Sequence, residues 1–350
     1  MNKKSFRMIF CALICLSFLA AVVMPVFATS TSGPVRVESY LAPKDKPPKP
    51  PTPDRPTKTS VDIRNIPSGE TVYSSVLIIA EVKGTFDEVV FQVDGGLEVP
   101  MGQVGSTERY EVTWETGGIA TAGHTLTVNA KSSGSVVASD SVDVTVVTGY
   151  QWELYYEIDY ITSNPPEQSV LEYQISYWAG HAIKVSYKVD QGIEDPNGDG
   201  IITSTEFWQL EVIYNDGDDN AGGNPNNGKY TLKEKWMLYG SQDSDPDVGG
   251  YTWVLGDGSA GNYIFIADSM IDTWESDYSI PNDGGEVTVV CHETGHSIGI
   301  LVTRGPREKY DSDNYSVMSM MRLENAKYMA GYWYYSKEYW ATRNMEYYTI

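Results

Sequence analysis

The alternation of apolar and polar residues predicts a series of short β-strands over residues 59–148. Turn signals such as Pro67-Ser68-Gly69 and Gly117-Gly118 separate the alternating runs. The runs read SVDIRNI, TVYSSVLIIAEVKG, EVVFQVDG, RYEVTWET, HTLTVNAK and VVASDSVDVTVV. About seven strands in about 90 residues are typical of an all-β sandwich.

Residues 149–350 mix helical and strand spacing, which predicts one α+β domain of catalytic size. The predicted strands cover residues 153–160, 183–189 and 262–267. The predicted helices cover residues 167–178, 287–301 and 336–345.

The N-terminus has the pattern of an export signal over residues 1–28. A basic start with Lys3, Lys4 and Arg7 is followed by an apolar run that ends in Val26-Phe27-Ala28. The run is long for a signal peptide, so an uncleaved N-terminal anchor is the alternative. In both cases the rest of the chain is expected outside the cytoplasm, secreted or at the cell surface.

Residues 29–58 are predicted to be a linker between the signal and the sandwich. Within them, residues 41–58 contain seven prolines in eighteen positions. Proline at this density favours an extended, semi-rigid spacer that has no core of its own.

Composition narrows the range of functions. Lys and Arg number 25 and Asp and Glu number 47, which makes the formal net charge −22 and argues against nucleic-acid binding. Cys11 and Cys15 lie in the N-terminal apolar run, so the rest of the chain has Cys291 alone and no internal disulfide. Its stability must therefore come from packing, to which bound metal ions could add.

The most specific chemical motif is the run HETGHSIG at residues 292–299. His292 and His296 are four residues apart on a predicted helix, so they project from one face and can bind a single tetrahedral Zn²⁺. Glu293 can reach a water molecule at the metal without being a ligand, and is the candidate general base. Helix histidines that bind no metal are the alternative.

A second motif extends the first. The run Ser316-Val317-Met318-Ser319 looks like a methionine turn, and together with HETGHSIG it makes the chain resemble the metzincin clan of zinc peptidases, closest to its archaeal-type members. The resemblance implies a zincin-like α+β fold with His292 and His296 as zinc ligands, Glu293 as general base and Met318 as the turn methionine. It also implies that a peptide substrate lies extended along an edge strand upstream of the helix. The strand runs of residues 59–148 resemble the immunoglobulin-like modules of secreted prokaryotic enzymes.

The third zinc ligand departs from the metzincin pattern. The clan places a histidine or aspartate where this chain has Val302, and no histidine follows the motif. The third ligand is therefore expected to be an oxygen shortly before the methionine turn. Asp311 is the leading candidate because a carboxylate is a good zinc ligand, and the alternatives are Asp313, Tyr310 and Glu308.

Residues 195–206, DPNGDGIITSTE, match the twelve-position calcium loop of EF-hand proteins. The expected Ca²⁺ ligands are Asp195, Asn197, Asp199, the backbone carbonyl of Ile201, and Glu206. Because a predicted strand precedes the loop, the flanks are not a helix pair, and a structural Ca²⁺ is expected rather than a sensor. A plain polar turn is the alternative.

The sequence thus predicts a secreted zinc metallopeptidase, a hydrolase that cleaves protein or peptide substrates and carries Zn²⁺ and Ca²⁺. Its predicted architecture is a signal peptide (1–28), a linker (29–58), an immunoglobulin-like sandwich (59–148) and a metzincin-like α+β domain (149–350). The sandwich is expected to offer association with a cell surface. The alternative is a catalytically inactive surface binding or adhesion protein in which zinc and calcium are structural.

Overall fold

The computed structural model describes residues 35–40 (backbone), 58–214, 234–241, 248–254, 261–280, 284–300, 318, 334–343 and 345. The strands are β1 (Val35–Tyr40), β2 (Ser60–Ile63), β3 (Glu70–Val72), β4 (Ser75–Lys83), β5 (Glu88–Val93), β6 (Val99–Pro100), β7 (Gly102–Gln103), β8 (Arg109–Glu115), β9 (Gly123–Ser132), β10 (Ser135–Val146), β11 (Trp152–Ile161), β12 (Ile183–Ile193), β13 (Glu234–Gly240), β14 (Val248–Val254) and β15 (Gly261–Ala267). The helices are α1 (Gln168–Gly180), α2 (Ser204–Tyr214), α3 (Asp268–Tyr278), α4 (Gly284–Ser297) and α5 (Lys337–Trp340).

Strands β2 to β10 form two sheets around one apolar core. The strand orders are β3-β10-β9-β5-β6 and β2-β4-β8-β7. Alternating side chains of both sheets fill the space between them, among them Ile78, Phe91, Trp114 and Val128. The longer strands follow the predicted runs, except that the run 71–84 is divided at Ser74, whose φ of 62° interrupts the extended backbone. The two-residue strands β6 and β7 lie outside every predicted run. The immunoglobulin-like relationship itself stays a prediction.

The second half of the chain is built on a six-stranded mixed sheet in the order β1-β14-β15-β13-β11-β12. Strands β12, β11, β13 and β15 are parallel, whereas β14 runs antiparallel to β15 and β1 antiparallel to β14. Helices α1 and α4 cover one face of this sheet. Helix α2 covers the other face, where Phe207 and Leu210 pack on Trp236, Tyr251 and Trp253. This half of the chain is therefore α+β, with a sheet buried on both faces.

The predicted elements of this half largely correspond to observed ones. The predicted strands 153–160, 183–189 and 262–267 lie in β11, β12 and β15, and the predicted helices 167–178 and 287–301 correspond to α1 and α4. The last helix is shorter than the predicted 336–345. It ends at Trp340. The carbonyl of Trp340 accepts a hydrogen bond from Arg343 Nη1 at 2.8 Å, and Nη2 of the same guanidinium donates to the carboxylate of Glu70.

Strand β1 lies within the range 29–58 that the sequence predicted to be a linker. It precedes the proline-rich part and completes the large sheet by pairing with β14. The linker prediction did not include this strand, because a single six-residue run carries little periodic signal and its partner lies more than 200 residues away.

Among the described residues, no helix is long and apolar enough to span a bilayer. The predicted export signal (1–28) and most of the proline-rich segment (41–57) lie outside the described residues.

Candidate active site

Helix α4 carries the HExxH motif and is buried along its whole length. Its N-terminus is capped from helix α3, because Glu275 Oε1 accepts hydrogen bonds from the amides of Gly285 (2.6 Å) and Glu286 (3.1 Å). The hydroxyls of Thr288 and Thr294 donate to backbone carbonyls four residues earlier, at 2.6 and 2.7 Å. The polar groups of a helix inside the core are thus satisfied by neighbours that the fold provides.

The helix ends directly after the motif. Gly299 has a φ of 86°, and its amide donates to the carbonyl of His296 at 2.9 Å. The amide of Ile300 reaches back to the carbonyl of Gly295 at 3.0 Å. A left-handed residue in this position is the common way to end a helix, and glycine adopts it without strain. The chain therefore turns out of α4 just beyond the second histidine.

The two histidines of the motif converge on one point. Nε2 of His292 and Nε2 of His296 lie 3.0 Å apart, and both side chains are buried. Nδ1 of His296 lies 2.9 Å from the carbonyl oxygen of Ile300, which can only accept, so Nδ1 carries a hydrogen and Nε2 is the ring nitrogen that can offer a lone pair to a metal. Imidazole nitrogens that converge in this way, with the other ring nitrogen held by a carbonyl, suit a shared metal ion.

Glu293 lies under strand β14. Oγ1 of Thr252 stands 2.8 Å from Glu293 Oε2 and 2.9 Å from its backbone carbonyl. Residues alternate between the two faces of β14, so Gly250 and Thr252 face α4 while Tyr251 and Trp253 face α2. A Cβ at Gly250 would lie 3.1 Å from Cγ of Glu293 and 2.9 Å from the carbonyl of Phe265. Glycine is therefore required for the strand to lie this close to the carboxylate.

Met318 packs against the opposite side of the motif. It is fully buried, and a Cβ at Gly295 would lie 2.9 Å from its Sδ atom and 2.8 Å from Cε1 of Tyr335. Gly295, which lies between the two histidines, thus has no room for a side chain, because Met318 and Tyr335 pack against it. The structure therefore places Met318 against Gly295, and its role as a turn methionine stays a prediction.

Several polar residues that the sequence motifs did not predict form hydrogen bonds with the C-terminal half of α4. Nζ of Lys235 donates to the carbonyl of Ser297 at 2.9 Å, and Nε2 of Gln174 donates to Oγ1 of Thr294 at 3.0 Å. The hydroxyl of Tyr335 donates to the carbonyl of Cys291. Burial lowers the pKa of Lys235 well below its usual value. A lysine inside the apolar run KWMLYG was the sequence signal that could have revealed this contact.

The predicted third zinc ligands lie outside the described residues. Asp311, the leading candidate, falls there, as do Asp313, Tyr310 and Glu308. Within the part of the chain that is described, no group of three or more His, Cys, Asp or Glu side chains is placed to hold a metal ion. The described site therefore contains two imidazole donors and one carboxylate.

The predicted calcium loop folds into a compact turn between β12 and α2. The side chain of Asp195 accepts from the amide of Gly200 at 2.7 Å, and that of Asp199 accepts from the amide of Ile201 at 2.8 Å. Gly200, at the sixth loop position, has a φ of 79° that favours glycine. Helix α2 follows the loop, so the flanks are a strand and a helix.

Two carboxylates of this loop converge on one donor. Nδ2 of Asn197 lies 2.6 Å from Glu206 Oε1 and 3.1 Å from Asp199 Oδ2. The other oxygen of Glu206 accepts from the amide and the hydroxyl of Thr203, at 2.9 and 2.7 Å, which is a capping box for α2. The oxygen donors suit Ca²⁺ chemically, whereas the present hydrogen bonds satisfy them internally. Ca²⁺ binding therefore stays a prediction.

A buried charge cluster joins the two halves of the chain. Glu70 of β3 accepts hydrogen bonds from His181 Nδ1 (3.1 Å), Trp340 Nε1 (3.1 Å) and Arg343 Nη2 (2.8 and 2.9 Å to its two oxygens). Burial, the largest influence, raises the pKa of Glu70, but the hydrogen bond from His181 and the nearby positive charges together hold that pKa below its usual value. Burial lowers the pKa of His181.

The segment 334–343 connects this cluster to the candidate site. Nζ of Lys337 donates to Oδ1 of Asp62 at 2.6 Å, and the backbone amide of Lys337 donates to the carbonyl of Arg64 at 2.6 Å. Two residues earlier, Tyr335 contacts α4 through Cys291. One short stretch of chain therefore touches both the sandwich and the helix that carries the histidines.

A second buried glutamate lies on the same helix. Burial is the first cause that raises the pKa of Glu286 to about 9, and the nearby carboxylate of Asp268 adds to this rise. Its Oε1 lies 3.3 Å from the amide of Glu167. Because Glu286 is protonated at neutral pH and lies at the N-terminal end of α4, it is not a candidate base.

Comparison with known proteins gives distant structural similarities. No protein-family model and no curated protein matches the chain. Metalloproteinase-II from Bacteroides fragilis is similar over 78% of this chain and 83% of its own, with a TM-score of 0.36 and 9% identity. An endo-beta-1,4-mannanase from Thermotoga petrophila is similar over 28% of this chain and 21% of its own, with a TM-score of 0.25 and 20% identity. At such TM-scores, function has to be inferred from the site itself.

Proposed function

We propose that this chain is a secreted zinc-dependent endopeptidase with a metzincin-like catalytic domain. The observation that supports this most is the pair of buried imidazoles whose Nε2 atoms lie 3.0 Å apart, with the buried carboxylate of Glu293 one residue after the first. The hydrogen bond of His296 Nδ1 to a carbonyl orients its ring for metal binding. Two histidines and an adjacent carboxylate are the donor and base set of zinc hydrolases.

Each residue has a defined task in this proposal. When bound, Zn²⁺ lowers the pKa of a water molecule and polarises the carbonyl of the scissile peptide bond. His292 and His296 would hold the ion through Nε2. Glu293, whose Oε2 is held by Thr252, would accept a proton from that water and return it to the leaving amine. Thr252 thus positions the carboxylate rather than taking part in proton transfer.

The test is zinc content together with cleavage of an unfolded protein such as reduced, alkylated casein. We expect one zinc per chain, and we expect a chelator to abolish cleavage and added Zn²⁺ to restore it. Zinc bound without any cleavage would favour the inactive surface protein.

We further propose Asp311 as the third zinc ligand. Catalytic zinc commonly has three protein ligands, and a site with two histidines alone binds more weakly. We expect Asp311→Ala to lower zinc affinity by roughly tenfold or more and to remove most of the activity, whereas Asp313→Ala should do neither. Zinc content after dialysis against a mild chelator is the measurement. Stoichiometric zinc in Asp311→Ala would direct the search to Asp313, Tyr310 and Glu308.

We also propose that residues 195–206 bind a structural Ca²⁺. Binding to the folded state alone must raise the melting temperature, so millimolar Ca²⁺ should stabilise the wild type. Glu206→Gln is the informative variant, because glutamine keeps an oxygen for the capping box with Thr203 but loses the charge and the bidentate contact. We expect Glu206→Gln to melt near the wild type without Ca²⁺ and to lose the Ca²⁺-dependent shift. Equal shifts in both proteins would contradict this assignment.

For the rest of the chain, we propose an export signal at residues 1–28 and an immunoglobulin-like accessory module at residues 59–148. The basic-then-apolar N-terminal pattern supports the first. Two facing sheets with a common core support the second. The contacts of Glu70 and Asp62 pack this module against α1 and the segment 334–343, so it is a fixed part of the enzyme rather than a distant spacer.

A further inference from the structure

The last turn of helix α4 is anchored to the sheet by a lysine. An α-helix leaves its last four carbonyls without partners inside the helix. Here the turn after the helix satisfies those of Gly295 and His296, which accept from the amides of residues 298–300. The carbonyl of Ser297 instead accepts a hydrogen bond at 2.9 Å from Nζ of Lys235, which lies on β13 and 62 residues earlier. The position of this turn is therefore determined by the sheet as well as by the helix.

A tyrosine beside this lysine contacts the same residue of the helix. In the register of β11 and β13, Tyr156 lies directly opposite Lys235, and both side chains are buried. Oη of Tyr156 lies 3.1 Å from Oγ of Ser297. Because the hydroxyl of Ser297 donates its hydrogen to the carbonyl of Thr294 at 2.7 Å, Tyr156 is the donor in this contact. Two neighbouring strands thus hold Ser297, one through its carbonyl and the other through its side chain.

The residue held in this way adjoins the second predicted zinc ligand. His296 directly precedes Ser297, and Nδ1 of its ring donates to the carbonyl of Ile300 at 2.9 Å. The chain turns back on the helix through Gly299 before it reaches Ile300. The place of the Ile300 carbonyl therefore depends on where the turn begins, which is at Ser297. A carbonyl at the second ring nitrogen fixes the tautomer and the orientation of a histidine that binds a metal.

We propose that Lys235 and Tyr156 are positioning residues for the metal site. By holding Ser297 they keep the carbonyl of Ile300 against Nδ1 of His296, so that Nε2 is the nitrogen that faces the metal position. A lysine is seldom buried, because burial of its amine costs free energy that an apolar side chain would not. This task gives a reason for a lysine in a buried strand. The inference rests on the proposed zinc site, and it adds the residues that orient one of the zinc ligands.

The experiment compares Lys235→Met with Thr288→Val in the full chain. Methionine is nearly as long as lysine but has no hydrogen to donate. Thr288 is the matched control because it is buried on the same helix, and its hydroxyl donates at 2.6 Å to the carbonyl of Gly284, at the end away from the histidines. Two quantities are measured. The zinc dissociation constant is obtained by competition with a chromophoric chelator. The tautomer of His296 is read in metal-free protein at mildly alkaline pH by long-range proton–nitrogen NMR of histidine-labelled protein.

We expect Lys235→Met to weaken zinc binding roughly tenfold or more and to leave His296 as a mixture of tautomers. The wild type and Thr288→Val should share one zinc affinity and keep the hydrogen of His296 on Nδ1. A wild type that has this tautomer, which Lys235→Met loses, but that binds no zinc would support the positioning role and refute the proposed function. Unchanged tautomer and affinity in Lys235→Met, or equal losses in both variants, would overturn the inference.

Tyr156→Phe decides the question if Lys235→Met does not fold. It removes one hydroxyl and keeps the ring, so the packing of the core around it stays the same. We expect it to weaken zinc binding in the same direction, by a smaller factor, because the carbonyl of Ser297 is still held by Lys235. Zinc affinity and His296 tautomer equal to those of the wild type in Tyr156→Phe would then overturn the inference.

Discussion

Glu293→Gln is expected to reduce peptide hydrolysis by about 10²–10⁴-fold while the protein keeps its zinc. Glutamine has nearly the same shape as glutamate and can still accept the hydrogen bond from Thr252, so the fold and both histidines stay in place. It cannot accept the proton that the base must carry. The measurements are kcat for a fluorogenic peptide and zinc per chain.

Glu286→Gln is the matched control for this prediction. It makes the same substitution on the same buried helix, at a residue whose pKa of about 9 already leaves it uncharged at neutral pH. We therefore expect Glu286→Gln to keep the wild-type rate. Equal losses in both variants would mean that any glutamine in this helix disturbs the fold, and undiminished hydrolysis in Glu293→Gln would refute the assignment of the base.

Glu70→Ala is expected to lower the free energy of unfolding by about 3–5 kcal/mol. The carboxylate is buried and is the shared acceptor of His181, Trp340 and Arg343, so its removal leaves a guanidinium and two N–H groups without their partner in the interface. Urea unfolding provides the measurement. Because segment 334–343 also holds α4 through Tyr335, activity should fall together with stability.

Asp62→Asn is the control in the same interface. Asp62 pairs with Lys337 at 2.6 Å, but its side chain is 39% exposed, and exposed ion pairs contribute about 0–1 kcal/mol. A loss in Glu70→Ala no larger than that in Asp62→Asn would show that the buried cluster does not hold the two halves together.

The same cluster implies a direction for the pH dependence of stability. The pKa values of Glu70 and His181 in the folded chain lie below their ordinary values of 4.5 and 6.5, so the unfolded chain binds more protons in acid. The stability that both groups contribute is present at neutral pH. It decreases as pH falls below 6.5 for His181 and then below 4.5 for Glu70. Unfolding of His181→Asn should therefore vary less between pH 7 and pH 5 than unfolding of the wild type.

Much of the candidate site could be read from the sequence because its parts are local. His292 and His296 share a face of any regular helix because four residues are close to one turn, and Glu293 is adjacent to the first of them in the sequence. The loop 195–206 is likewise contiguous, so its converging Asp199 and Glu206 depend on twelve adjacent residues. Alternation also predicted the strands of the sandwich, since each has one face toward a core.

The elements that the sequence did not predict contain residues that are unusual for the structure they form, such as glycines within a strand and a lysine within a buried strand. The run VGGYTWV has glycines at its second and third positions, which weaken a strand prediction, yet it forms β14. A Cβ at Gly249 would lie 2.7 Å from Cζ3 of Trp274, so the glycines make room for helices packed on the strand. Lys235 is polar within an apolar strand because it caps the last turn of a helix that is 62 residues away.

By itself the sequence determined the helix with its two histidines and carboxylate, the alternating strands of residues 59–148 and the shape of the loop at residues 195–206, because hydrogen bonds and periodicity within a few residues decide these features. Only the tertiary structure decided that Thr252 holds Glu293, that Glu70 joins residues 181 and 343, and that residues 35–40 lie along β14. These contacts span from 41 to more than 200 residues. Their formation depends on the packing of the whole chain, which local patterns do not encode.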